Sequence, residues 1–269
     1  MPDGSARPLN GIVFRAEQGP STVRSARYTL ELRPWFLRLD QERTCAVFQN
    51  MSVPEIVTKV CTDAGFGHIR NALSSTYPEK EYTVRYGETS FAFLSRLMAE
   101  AGIVYFFEHS GSAHTLVMAD SPDVFADCPQ GATLEWLPDA QDKEGGPPTE
   151  PSAHVFELSL SRQVAAASCS VDDYNPLTPE TSLAASAGEG FPCLGYPLAG
   201  HIDQQSGEGL AAIRLDACES GGFKLRGRSS CPGLSAGCAF AVKGHPDGQV
   251  NARWVATEVR FTASFPGNG

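Results

Sequence analysis

The apolar positions between Glu81 and Asp120 change period three times, and each change predicts a different element. Tyr82, Val84 and Tyr86 alternate with Thr83 and Arg85, the period of a half-buried strand, which Gly87 interrupts. Thr89 then stands as a helix N-cap. Phe91, Phe93, Leu94, Leu97, Met98 and Ala101 recur at helical spacing behind it, while Ser95, Arg96 and Glu100 fall on the opposite face. Gly102 suits the residue just past a helix end. Ile103 to Phe107 is β-branched or aromatic without alternation and reads as a strand covered on both faces; HSGSA then turns the chain into a second strand over His114 to Ala119.

The same reading lays out the rest of the chain. Residues 11–16 and 26–39 pattern as two strands, the second ending in the apolar cluster Pro34-Trp35-Phe36-Leu37. A second helix has a well-marked start, because Ser52 and Glu55 form a capping box and Pro54 sits in the first turn; Ile56, Val57, Val60 and Cys61 make its apolar face, and Gly65 ends it. Residues 138–153 and 175–190 are poor in apolar residues and rich in chain breakers, so the first marks a boundary between units. Strands are predicted at 154–160, 165–171, 223–228, 238–243 and 252–264, with a helix from about Glu208 to Glu219.

The run YxVxYGExxxxFLSRLMxExGIxYFFEH from Tyr82 to His109, followed by HTLVMADSP, resembles the VgrG family, the spike proteins of type VI secretion systems, and their relatives in contractile phage tail hubs. YTLELRPWFLRL (28–39), Val47-Phe48-Gln49 and SVPEIVTKV (52–60) upstream stand in the family's order, as do GLAAIRLDA (209–217), residues 233–242 and residues 254–261 downstream. The resemblance covers about residues 11–265. Arg85 departs from it, standing where such proteins often carry Gln, and so does Ser90, where they often carry Asp.

The resemblance implies an α+β, mainly β fold, with two small β-barrel units flanking a middle module of helices and a β-hairpin. The expected division is final strands of an incomplete first barrel at 1–34, the middle module at 35–137, a linker at 138–153 and a second barrel with one helix at 154–265. In such a hub each subunit contributes two similar barrels, and a homotrimer presents six to a hexameric tube. The implied partners are that tube, baseplate components and effector proteins. The implied course is synthesis and assembly in the cytoplasm, then export with the apparatus. Further barrel strands upstream and a long β-helical needle downstream belong to the family pattern and have no counterpart in these 269 residues.

Length, charge and candidate chemistry agree with a protein that works by shape. At 269 residues the chain exceeds the usual single-domain size of roughly 100–150, so two compact units are the default. A formal charge of −10 argues against nucleic acid or an anionic membrane as partner. No run approaches the ~20 apolar residues of a membrane span. The eight cysteines contain no CxxC pair, and they read as mostly reduced and buried.

Several catalytic or ligand patterns are weak. Cys231, Cys238 and His245 recur at intervals of seven, but structural zinc ligands come in closer pairs. His109 and His114 flank the hairpin turn, where they could converge on a metal, but a histidine at a turn is more often simply solvated. Gly207, Gly209 and Ala212 match GxGxxA, yet the polar HIDQQS precedes them where a nucleotide site needs a strand. Asp172 and Asp173 are adjacent, which in a strand sends them to opposite faces, so a glycosidase-type pair needs a distant partner. Trp35 and Trp254 are accounted for by core periodicity, whereas Trp136, beside the breaker-rich segment, is a candidate anchor for that segment or a partner. The expected catalytic, cofactor and metal residues are therefore none. A diverged effector enzyme such as a cell-wall hydrolase, or a monomeric binding module, stand as the alternatives.

Overall fold

The computed structural model describes residues 7–21, 26–129, 131–138, 153–193 and 203–261. Apart from its two ends, the breaker-rich segment 138–153 lies outside the described residues. The fold is α+β and dominated by strands.

The chain opens with an antiparallel ribbon of β1 (Ile12–Ser21) and β2 (Ala26–Arg33), joined by no third strand among the described residues. Register pairs Val13 with Leu32, Ala16 with Leu30 and Gln18 with Tyr28. Arg33 lies over the Phe14 ring at 4.4 Å. The strand predicted over 26–39 stops at Arg33, because Pro34 cannot donate to a ladder; Trp35–Asp40 instead make a 3-10 turn that buries Trp35, Phe36 and Leu39.

The middle module runs β3 (Arg43–Met51), α1 (Val53–Asp63), β4 (Ile69–Ala72), β5 (Lys80–Thr89), α2 (Ser90–Glu100), β6 (Val104–Ser110) and β7 (Ala113–Ala119). Both helices start where the local chemistry predicts. The Glu55 carboxylate accepts from Ser52 N and Oγ at 2.8 and 2.7 Å, and Thr89 Oγ1 accepts from Ala92 N at 3.1 Å while donating to Asp40 at 2.7 Å. Gly102 follows α2 in the left-handed region at φ 69°, and Ile103 N closes the helix by donating to Met98 O at 2.8 Å. Gly87 does not end its strand. It carries φ 64° inside β5, and the β3–β5 register shifts nearby, between Thr44 and Ala46.

The two helices bury Ile56, Val57, Phe93, Leu94 and Leu97 against Phe36 and the hairpin residues Leu116 and Met118. The hairpin carries an extra strand that local pattern did not predict, β4, parallel to β7. Asp120, at the end of β7, holds the loop after β4. Its carboxylate accepts from Ser74 N, Ser75 N, Ser74 Oγ and Tyr77 OH at 2.8–3.0 Å. Burial alone raises its pKa, but these bonds dominate and hold it well below the usual carboxylate range.

The remaining elements are β8 (Thr133–Trp136), β9 (His154–Arg162), β10 (Ser168–Val171), β11 (Ala185–Gly188), α3 (Gln204–Gly221), β12 (Phe223–Ser229), β13 (Ala239–Lys243) and β14 (Arg253–Val255). Five form one sheet in the order β12-β9-β8-β13-β14, an open half-barrel. β8 pairs parallel to both neighbours, so residues 133–136, read with the middle module, are bonded into the sheet that follows it. α3 begins four residues before the predicted Glu208, since Asp203 accepts from Ser206 N at 2.7 Å and caps it there. β11, inside a segment read as breaker-rich, pairs with β10; Ala185 and Ala187 are small enough to pack under Ala211 of α3.

Candidate docking surfaces

Strand β5 is half-buried as its alternation requires, but the buried half is the polar one. Thr83 is 8% exposed and Arg85 turns inward beside it, whereas Tyr82 is 58% and Tyr86 84% exposed. Register places Val84 directly opposite Val47 of β3 and Tyr82 opposite Gln49, so Val47, Tyr82, Val84 and Tyr86 share the outer face of the ribbon. The inner face packs on α2, where Phe48 stacks on Phe93 at 5.4 Å.

This orientation has a cost. Thr83 Oγ1 and Arg85 Nε are buried without a hydrogen-bond partner. A slip of one residue would exchange the two faces and bury the aromatic set, so the ladder is held in a register that exposes it. Arg85 recovers part of the cost by donating to Ser90 Oγ and Thr44 Oγ1. The two departures from the family pattern, Arg85 and Ser90, are thus bonded to each other.

The β1–β2 ribbon offers a second apolar face of the same kind. Val13, Leu30, Leu32 and Tyr28 are all more than half exposed. Contiguous apolar surface on two ribbons, with nothing packed over it among the described residues, is what an interaction surface presents.

The structure gives each of the candidate residues its neighbours. His109 and His114 do converge, opposite each other across the hairpin with rings 5.9 Å apart. They are not simply solvated: His109 Nδ1 accepts from Asn10 N at 3.0 Å, and His114 Nε2 accepts from Trp35 N at 2.9 Å. The pair therefore fastens the chain before β1 and the 3-10 turn to the hairpin. Among the described residues no group of three or more His, Cys, Asp or Glu is placed to hold a metal ion.

Cys231 and Cys238 each lie near Cys128, while the His245 ring packs edge-on against Trp136 at 4.9 Å, so the three residues spaced at intervals of seven do not assemble as a set. Asp172 and Asp173 lie past the end of β10 rather than in it, their carboxylates accepting from Asp173 N and Tyr174 N. Gly207 and Gly209 sit inside α3, not in a loop before it. Trp35 stacks on Phe66 at 4.7 Å and is buried; Trp254 stacks on Phe223 at 5.3 Å. Trp136 packs against the second core of Leu134, Val155 and Cys231, which explains it without the breaker-rich segment.

The histidine pair sets a pH dependence. Burial pushes both rings below the ordinary histidine value, helped at His109 by Arg7 and at His114 by His109 and His68. Because the folded pKa values are depressed, the unfolded chain takes up protons first as pH falls below about 6.5. The stability contribution is present above that value and lost on acidification. Melting temperature is expected to fall between about pH 7.5 and 5.5, and His109→Gln and His114→Gln to flatten that fall. A wild-type melting temperature constant over the interval would contradict it.

Comparison with known proteins adds the context for these surfaces. The family described as phage tail baseplate hub (GPD) matches residues 1–267. The type VI secretion system spike protein VgrG1b of Pseudomonas aeruginosa is 33% identical over 266 residues, covering 96% of this chain and 35% of that protein. VgrG1c of the same organism is 33% identical over 274 residues, covering 97% and 36%. The chain thus spans about a third of the length of these relatives. Among solved structures, the Escherichia coli c3393 protein, a type VI secretion component with structural similarity to the T4 bacteriophage tail proteins gp27 and gp5, superposes with a TM-score of 0.62 at 21% identity. It covers 87% of this chain and 50% of its own.

Proposed function

The chain belongs to the phage tail baseplate hub family, and on that premise we propose that it is the hub portion of a spike in a type VI secretion or phage-tail-like contractile injection apparatus. It acts without catalysis, by assembling as a homotrimer and docking onto a hexameric tube and the baseplate. It is made and assembled in the cytoplasm and leaves the cell with the apparatus. No helix among the described residues is long and apolar enough to cross a membrane.

The observation that carries this reading is the orientation of β5. A strand that buries Thr83 and Arg85 with unpartnered polar atoms, and exposes Tyr82, Val84 and Tyr86, gives up stability that covering the exposed set would return. A second copy of the same chain is the occupant a symmetric hub supplies.

Sedimentation equilibrium of the full chain over a range of concentrations tests this. A trimer is expected, and Val84→Lys with Tyr86→Lys should weaken it about tenfold or more, as loss of central interface anchors does. Melting of the dissociated variant should match that of the dissociated wild type, since both side chains are already solvated. A wild-type chain that stays monomeric throughout, or a variant that associates as before, would sink the proposal.

A further inference from the structure

Cys128 and Cys238 are 110 positions apart in sequence, yet the backbone lays their segments side by side. Cys128 N donates to Ala239 O at 2.7 Å and Ala239 N donates to Ala126 O at 2.8 Å, a short parallel bridge that grips the chain on both sides of Asp127. We propose that Cys128 and Cys238 form a reactive dithiol that closes to a disulfide on meeting a disulfide oxidant, stapling the segment that leaves the middle module to the start of β13.

The two sulfurs are unequal, and the inequality assigns their roles. Cys128 is buried, whereas Cys238 is half-buried and so the more exposed of the two. The Cys238 sulfur lies 2.7 Å from Ser235 Oγ and shares a hydrogen bond with the Cys128 thiol. Those donors stabilise a thiolate there. The bond from Cys128 is the largest influence; burial opposes it, and Ser235 and then Arg7 add to it, bringing Cys238 down to about 6. Cys128 moves the opposite way, raised by its bond to Cys238 and by burial, and so keeps its proton until a partner sulfur is in place. This is the division of labour between an attacking and a resolving thiol.

The chemistry balances with a disulfide RSSR as oxidant. The Cys238 thiolate attacks one sulfur of RSSR, forming a Cys238–SR bond and releasing RS⁻, which is protonated to RSH. Cys128 then gives up its proton as its sulfur attacks Cys238 Sγ, forming the Cys128–Cys238 bond and expelling the second RS⁻, again as RSH. Two electrons and two protons pass from the cysteines to RSSR. The bond would persist outside a reducing cytosol and would close a loop containing β8 to β12, a long-range constraint of the kind that raises stability. The inference does not depend on the hub reading.

Cys231 is the competitor, since a Cβ placed on Gly131 would meet Cys231 Sγ at 2.5 Å and Cys128 Cβ at 3.5 Å, so both border one small space. The test is incubation of the folded full chain, carrying Cys45→Ser to remove the exposed thiol, with oxidised glutathione, then thiol blocking and peptide mapping without reduction. A crosslink joining the peptides of Cys128 and Cys238, with a melting temperature several degrees higher that reverts on reduction, is the expected result. Iodoacetamide near neutral pH should alkylate Cys238 before any other remaining thiol, and Cys128→Ala should move the pH midpoint of that reaction upward. The proposal is overturned by a stable glutathione adduct at Cys238 with no crosslink, by a Cys128–Cys231 link in its place, or by an unmodified chain.

Discussion

Replacing Phe36 with alanine is expected to destabilise the folded chain by about 3–5 kcal/mol, the cost of deleting a fully enclosed aromatic ring and leaving its cavity. Phe36 is 1% exposed. Its ring meets Trp35, Phe91 and Tyr105 edge-on, with centroids 5.9, 5.3 and 5.0 Å away. It therefore joins three elements at one point: the 3-10 turn, the first turn of α2 and strand β6. Collapse of the cavity would need all three to move together, which places the cost at the upper part of the range. Urea unfolding should show the loss as a lower midpoint with an unchanged slope, and Phe36→Leu should recover more than half of it. A loss under about 1 kcal/mol would mean that the aromatic cluster repacks freely, contrary to the geometry.

Gly237→Ala is the second large effect, and it acts between the loop before β13 and strand β6. Gly237 has φ 84°, a conformation costing an alanine about 1–2 kcal/mol. A Cβ there would also sit 2.2 Å from Phe106 Cδ2 and 2.6 Å from its Cγ, so the ring must turn, adding roughly 1–3 kcal/mol of overpacking. Phe106 is held in turn by Phe125 at 5.3 Å, and Gly237 N by its bond to Ala256 O at 2.8 Å, so neither side yields readily. The sum, about 2–5 kcal/mol, separates by a double-mutant cycle with Phe106→Ala. The steric part should vanish in that background and the backbone part remain. Strict additivity of the two changes would show that no such contact exists.

The parts of this fold that were legible in the sequence are those decided within one turn of chain. The capping box of Ser52 and Glu55, the Thr89 cap and the glycines after both helices act on neighbours three to five residues away, and the helices begin and end where those residues put them. β8 and β11 were invisible for the converse reason. Each is four residues long and is stabilised by partners that local pattern does not name, β13 and β9 for β8, β10 for β11. The same holds for the site. Alternation shows that β5 has two kinds of face but not which one meets α2, because that is set by the register with β3 and by the hydrogen bonds of Arg85 to Ser90 and Thr44. Cys128 was missed because its partner lies across a parallel bridge, where no spacing rule connects the two.

The inverted face of β5 has a consequence for how this sequence drifts. Selection for the stability of a lone chain would replace Thr83 and Arg85 with apolar residues and trade Tyr82, Val84 and Tyr86 for polar ones, since each such change removes an orphaned polar atom or a wetted apolar side chain. A lineage freed from its assembly would therefore lose the pattern first in this one strand, well before its helix caps or its core decayed.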